Sequence, residues 1–182
     1  MRLETTRLIL RDWRADDLPA LCRLTADPDV MRYIGAGATW SEEQTRAFIE
    51  RQMAHAQQHG FCLWALQEKS GGAVIGHAGL QYLGTSTHVE IGWWLRRDCW
   101  GRGLATEAAR RALREGFERA GLERIVAIAN QDNSASQAVM RKIGLRYERM
   151  ANTSEFGLPS GNIACVLYAI EKPDYEQQVE AT

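Results

Sequence analysis

The stretch 89–108 restricts this chain more than any other. Residues 89–95 are apolar and aromatic, and Ile91, Trp93 and Leu95 alternate as strand residues do. Gly101 and Gly103 follow, where absent Cβ atoms let the backbone turn tightly and come close to a ligand. Next, Ala105, Ala108, Ala109, Ala112, Leu113, Gly116 and Phe117 recur at helical spacing. Glu107, Arg110, Arg111, Arg114 and Glu115 make the polar face between them. A helix starting there has unpaired N–H groups and a partial positive charge at its first turn. Strand, glycine loop and helix start can be a tight turn with no ligand, or an anion site best suited to phosphate. Two known phosphate motifs are excluded: no Gly-Lys-Ser/Thr is present, and Thr106 stands where GxGxxG needs its third glycine. Asp98 adds a negative charge, but Arg96, Arg97 and Arg102 outnumber it.

Taken in order, 6–13 reads as a strand, with Leu8 and Leu10 against Arg7, Ile9 and Arg11. A helix over 15–26 carries Leu18, Leu21, Cys22 and Leu24, and a short helix begins near Asp27 and Pro28. Ser41 and Gln44 have capping-box spacing for a helix that runs to about His59 and stops at Gly60. His55 and His59, four apart on it, lack further metal ligands and read as part of a solvated face. Segments 61–68 and 73–83 form a hairpin, and 84–87 turns into the strand that ends at Leu95. After the long helix comes a strand over 125–129. Strand, helix and strand in that order imply a crossover and a parallel pair.

The segment 130–145 reads as a helix capped by Asn133 or a neighbour, lined by Ala135, Val139 and Ile143 and ended by Gly144. Two strands, 147–156 and 163–171, precede a polar tail, 172–182. Both faces of the last strand are mostly apolar, as in a buried strand.

The net charge of −1 gives no basic excess for nucleic-acid binding. No 18-residue apolar run predicts a membrane span, and the first residues show no apolar signal region. Cys22, Cys62, Cys99 and Cys165 have no metal spacing and read as reduced thiols of a cytoplasmic protein. Cys99, with no partnered His and Asp, reads as a small loop filler rather than a nucleophile. The length suits one domain, 1–182.

The run Trp100-Gly101-Arg102-Gly103-Leu104-Ala105-Thr106-Glu107-Ala108 resembles the acetyl-CoA motif of the GNAT N-acetyltransferases, Gln/Arg-x-x-Gly-x-Gly/Ala. Asp98 departs from it at the first position. Asn133 to Gly144 resembles the family's later motif, and residues 4–11 and 90–95 resemble the branch containing the Rim-type acetyltransferases of ribosomal-protein N-termini. The resemblance implies an α+β GNAT fold: a central mixed, strongly twisted sheet of about six to seven strands, flanked by helices, with a splayed parallel pair.

It also implies acetyl-CoA as co-substrate, without a metal. Trp94, Leu95, Arg97, Gly101, Arg102, Gly103, Leu104, Ala105, Thr106, Asn133 and Ser136 would hold it, with Arg141 a further phosphate partner. The acetyl group would pass directly, in a ternary complex, to a primary amine: a protein N-terminus or a small molecule. Such a step needs a base for the ammonium, N–H donors for the developing oxyanion and an acid for the thiolate. A backbone N–H near Trp94 or Leu95 is the expected donor. Glu90 is the candidate base, or else a carboxylate that pairs with a neighbour and aids folding; His77 and His88 are weaker candidates. Many relatives carry a Tyr acid where this chain has Met140, so Ser136 takes that role, as in the Rim-like branch; otherwise it only hydrogen-bonds CoA or the helix start. Tyr33, Trp40 and Phe156 should wall the acceptor pocket. No partner on nucleic acid or membrane is expected; the protein is a monomer or homodimer. The rival from another class is a non-catalytic acyl-CoA sensor.

Overall fold

In the computed structural model, residues 1–181 are described; the last residue of the polar tail, Thr182, lies outside them. A single sheet runs through the chain in the order β1-β2-β3-β4-β5-β6-β8-β7. Its strands are β1 (Arg2–Glu4), β2 (Leu8–Arg11), β3 (Leu63–Glu68), β4 (Val74–Tyr82), β5 (Val89–Leu95), β6 (Arg124–Asn130), β7 (Arg146–Asn152) and β8 (Ala164–Glu171). Every neighbouring pair is antiparallel except β5 and β6. The sheet is mixed, as expected, with eight strands rather than six or seven. The extra one is β1, which precedes the strand expected over 6–13 and pairs back onto it as β2. Thr5 turns the chain, its N–H donating to Leu8 O at 3.0 Å while its Oγ1 accepts from Leu8 N at 2.9 Å.

Helices cover both faces. On one lie α1 (Leu18–Thr25), the single-turn α2 (Pro28–Met31) and α3 (Glu42–His59). Their apolar residues Leu21, Leu24, Phe48 and Ile49 pack with Trp13, Leu63 and Ala65. On the other lies α4 (Leu104–Arg114), whose Ala108, Ala109, Ala112 and Leu113 meet Leu80, Ile91 and Ile125. The small alanines let this helix approach the strands closely. At Gly116, just past α4, a Cβ would lie 2.9 Å from Leu80 Cδ1 and 2.8 Å from Ile125 Cδ1, so any larger residue there would have to displace these core methyls. Helix α5 (Ser134–Lys142) follows β6, and α6 (Lys172–Glu180) follows β8.

Helix α3 starts where the capping box predicted: Gln44 N donates to Ser41 Oγ at 3.2 Å and Ser41 N to Gln44 Oε1 at 2.8 Å. Gly60 ends it in the left-handed region, at φ 78°. The solvated-face reading of His55 and His59 is corrected. Both are half-buried, because their rings cover the end of β4 beside Phe61 and Tyr82. His55 Nδ1 lies 2.8 Å from Phe61 O, and its Nε2 accepts from Tyr82 N at 3.2 Å. Burial pushes its pKa down. The polar segment after β8 is helical rather than an irregular tail, and Tyr175 stacks on Phe117 at 4.7 Å.

A buried ion pair joins β2 to the start of α1. Arg11 donates to Asp17 through two bonds of 2.8 and 2.7 Å, and Asp17 also accepts from Arg14 N at 2.8 Å. Breaking one side strands a buried charge. Asp17→Ala should cost about 3–5 kcal/mol in urea unfolding; a loss under ~1 kcal/mol would show that the pair contributes little.

Candidate active site

Strands β5 and β6 are joined at one register position, Glu90 opposite Val126. Beyond it they separate. Each stays tied to its other neighbour, β5 to β4 over seven pairs and β6 to β8 over seven. A cleft of about 920 Å³ occupies the fork. Antiparallel alternation sets which β5 amides face it. Arg96 N donates to Ile75 O at 2.8 Å, across from it on β4's side. Alternate residues repeat that direction, so Trp94's N–H also points to β4, while those of Trp93 and Leu95 point into the split. Leu95 O accepts from Trp100 Nε1 at 2.8 Å.

At the end of β5, Gly101 and Gly103 both adopt left-handed backbone, φ 72° and 75°. Gly103 is the N-cap of α4, and no side chain caps that end. Gly101, Gly103, Leu104, Ala105 and Thr106 all border the cleft. Its first-turn amides therefore present partial positive charge to it. The loop is braced from outside. Glu107 accepts from Thr5 Oγ1 at 2.6 Å and from Arg7 N and Nε at 2.8 and 2.7 Å, and Arg7 Nη1 donates to Arg102 O at 2.8 Å. Burial raises the Glu107 pKa, but these donors outweigh it and hold it below the usual range.

Helix α5 borders the same cleft. Asn133 caps it, its Oδ1 accepting from Ser136 N at 3.1 Å, and both side chains line the cleft. Ser136 is half-buried, whereas Met140 is buried in the core at 1% exposure. Lys142 lies on the cleft's edge.

Glu90 occupies the fork. Its Oε1 accepts from Gln81 Nε2 at 2.6 Å; Gln81 Oε1 accepts from Gln52 Nε2 at 2.8 Å; Gln52 Oε1 accepts from Leu63 N at 2.9 Å. Burial pushes the Glu90 carboxyl up to about 7, against the Gln81 bond, which lowers it. His77 sits four residues before Gln81 on β4, wholly buried, and burial pushes it down to about 3.

The expected cations are arranged differently. Arg97 borders the cleft but is paired with Asp29 at 2.6 Å and Asp27 at 3.4 Å. Arg102 pairs with Glu68 outside it, and Arg141 Nη1 donates to Tyr168 OH at 3.1 Å. Asp98 is turned away, held by two 2.7 Å bonds from Arg96 that keep its pKa low. Tyr33 and Trp40 line the cleft. Phe156 does not: it is buried in a separate apolar cluster, and the loop after it contributes Leu158, Pro159 and Ser160 instead. His88 lies outside, its ring 6.4 Å from Phe156. Sequence reasoning missed Lys142, Gln52 and Gln81. The glutamines read as ordinary polar residues until the fold stacks them behind Glu90.

A helix start opened by glycine, facing a forked parallel pair in a mixed sheet, is the architecture of the GNAT acetyltransferases. The model of the Acetyltransferase (GNAT) domain matches residues 7–146, and the chain belongs to that family. It is 33% identical over 164 residues to the N-acetyltransferase YnaD of Bacillus subtilis (strain 168), covering 89% of this chain and 91% of that one. Among solved structures, a GNAT-family acetyltransferase from Bacillus anthracis superposes with a TM-score of 0.80 at 30% identity, covering 95% of this chain and 99% of that one. The ribosomal L7/L12 α-N-protein acetyltransferase RimL, solved with coenzyme A, shares the fold at a TM-score of 0.77 and 20% identity, covering 96% and 99%.

Cys99, in the loop beside this site, is 2% exposed, and burial raises its thiol pKa. A protonated, shielded thiol is a poor nucleophile. Cys99→Ala should keep acetyl transfer within about threefold; a loss near the 10²-fold typical of a lost proton-transfer group would make the thiol a participant.

Proposed function

We propose that the chain moves an acetyl group from acetyl-CoA directly to a primary amine in a ternary complex. The observation that carries this is the fork past Glu90, where the N–H groups of Trp93 and Leu95 point into the split rather than to β4. RimL, with the same fold, is solved with coenzyme A. In this reading the amides of 101–106 hold the diphosphate and the pantetheine arm lies in the split beside Asn133. Arg97 and Arg102, tied to carboxylates, assist only by shaping the loop, and Lys142 is the freer cation at the edge. The acetyl oxygen takes the N–H of Leu95. Glu90, about 16 Å back along β5 at strand spacing, accepts the ammonium proton through water, and the freed nitrogen lone pair attacks the carbonyl carbon. The C–S bond then breaks as the C–N bond completes; Ser136 Oγ gives its proton to the departing thiolate and regains one from the nitrogen, which is left as the neutral amide. A reducing, cytoplasmic setting suits four cysteines that are all free thiols.

Release of CoA thiol with a panel of amines tests the reading. Acetyl-CoA binding without turnover on any amine would make the chain a sensor instead. Glu90 must be ionised to accept a proton. The rate at fixed protonated amine should therefore rise through an apparent pKa near 7 and level off above it. Glu90→Gln should remove that limb and lower kcat by about 10²-fold. An unchanged limb would reassign it to another group. Ser136→Ala should lower kcat by ~10²-fold while acetyl-CoA binding changes far less; equal losses in both would leave Ser136 a binding group.

A further inference from the structure

Two glutamines lead from the backbone of β3 to Glu90, and the backbone fixes the direction in which they point. The Leu63 N–H, buried on β3, can only donate. It donates to Gln52 Oε1 at 2.9 Å, which commits the carbonyl end of that amide. The NH2 end of Gln52 therefore faces onward, and its Nε2 donates to Gln81 Oε1 at 2.8 Å. The same constraint passes through Gln81, whose Nε2 donates to Glu90 Oε1 at 2.6 Å. A primary amide has one accepting end and one donating end. Turning Gln52 over would leave the Leu63 N–H unpaired in the core, and turning Gln81 over would set NH2 against NH2.

The direction matters because the last link always offers Glu90 a donor. A donor favours a carboxylate over a carboxylic acid, whose own proton needs an acceptor. The chain thus opposes the burial that favours the protonated form at the fork. Gln52 does this from inside the core: it is 4% exposed and takes no part in lining the cleft.

The elements around Glu90 bring few rival groups. Gln81 is its cross-strand partner on β4, and among the described residues this is the one hydrogen bond that the Glu90 carboxyl makes. His77, two pairs further along β4, is wholly buried without a hydrogen-bond partner among the described residues, and burial holds it neutral. His88, two residues before Glu90, turns its ring to Phe156. On α3, His55 has both ring nitrogens occupied, at Phe61 O and Tyr82 N. β6 opposes Glu90 with Val126. Asp29, Arg32, Arg97 and Lys142 also border the cleft, but burial and the Gln81 bond are the influences that act on the carboxyl.

We propose that Gln52 and Gln81 are positioning residues: a one-way chain of amide donors, oriented by the Leu63 N–H, that holds Glu90 ionised in the fork and so sets the pH above which acetyl transfer begins. The last clause rests on the acetyl-transfer reading above; the donor chain itself does not. Neither glutamine takes or gives up a proton.

The test is an NMR titration of the glutamate carboxyls in the full-length protein, with the Glu90 signal identified by its absence in Glu90→Gln. Its midpoint in the unaltered protein should lie near 7. Gln81→Met should raise it by about one pH unit, the worth of one hydrogen bond to a charged group. Gln52→Met should raise it by roughly half a unit, because Gln81 is then free to turn. Gln52→Glu keeps an acceptor for the Leu63 N–H but has no NH2 to pass on, and its charge also opposes ionisation, so it should raise the midpoint by about one unit or more. A midpoint that Gln81→Met raises and Gln52→Met leaves in place ends the chain at Gln81 and overturns the proposal. In the unaltered protein the side-chain NH2 protons of both glutamines should shift with the Glu90 midpoint; a Gln52 amide that ignores it overturns the chain with no variant needed. The pH limb of acetyl transfer should move with the carboxyl in each variant. A limb that stays while the carboxyl moves overturns Glu90 as the base, a different outcome from a carboxyl that no glutamine variant moves, which overturns the chain.

Discussion

A parallel strand pair that meets at one residue and then parts governs the rest of this molecule. β5 is held by β4, and β6 by β8, along their whole lengths; among the described residues, Glu90 and Val126 are the one registered pair between the two halves of the sheet. A strand edge inside a protein carries donors and acceptors that ordinarily need partners. Here the edge of β5 past Glu90 opens onto a cleft, so its amides are available to whatever enters. The sheet is forked where a continuous sheet would leave no opening between β5 and β6.

The fork also explains the chemistry available to Glu90. A carboxylate in water has no reason to hold a proton near neutrality. At the base of a fork, with the Gln81 amide donating to it, burial penalises the charged form and raises the pKa to about 7. The glutamine is itself positioned by Gln52 on α3, which is anchored to the backbone of β3. The helix layer on one face thus orients a group at the centre of the sheet. On the other face, Thr5 and Arg7 reach from the β1–β2 turn to Glu107 and to the carbonyl of Arg102, and keep the glycine loop aimed at the cleft.

Local signals were legible where local physics decides. The Ser41–Gln44 capping box, the glycine stop at Gly60 and the Gly101–Gly103 turn each involve neighbours in sequence, and each forms as read. Asn133 is another, capping α5 through a bond three residues on. Readings that depended on distant partners fared less well. Arg97 and Arg102, expected beside the phosphates, each have a carboxylate from a remote segment beside them, Asp29 and Glu68, which no local pattern indicates. Phe156 looked like a pocket wall by size alone and is core. His55 and His59 looked solvated by helical spacing and instead cover a strand end.

The sequence alone determined the order of strand, glycine turn and helix, and the likeness to the GNAT acetyltransferases that the family match then established. Those depend on residues within a few positions of one another, whose backbone preferences and spacing survive without knowledge of the fold. Only the tertiary structure decided that Glu90 lies at the fork with two glutamines behind it, that Leu95 rather than Trp94 turns its amide inward, and that His77 is buried without a partner. Each of these depends on which strand lies alongside which, and strand pairing is set by contacts far apart in sequence.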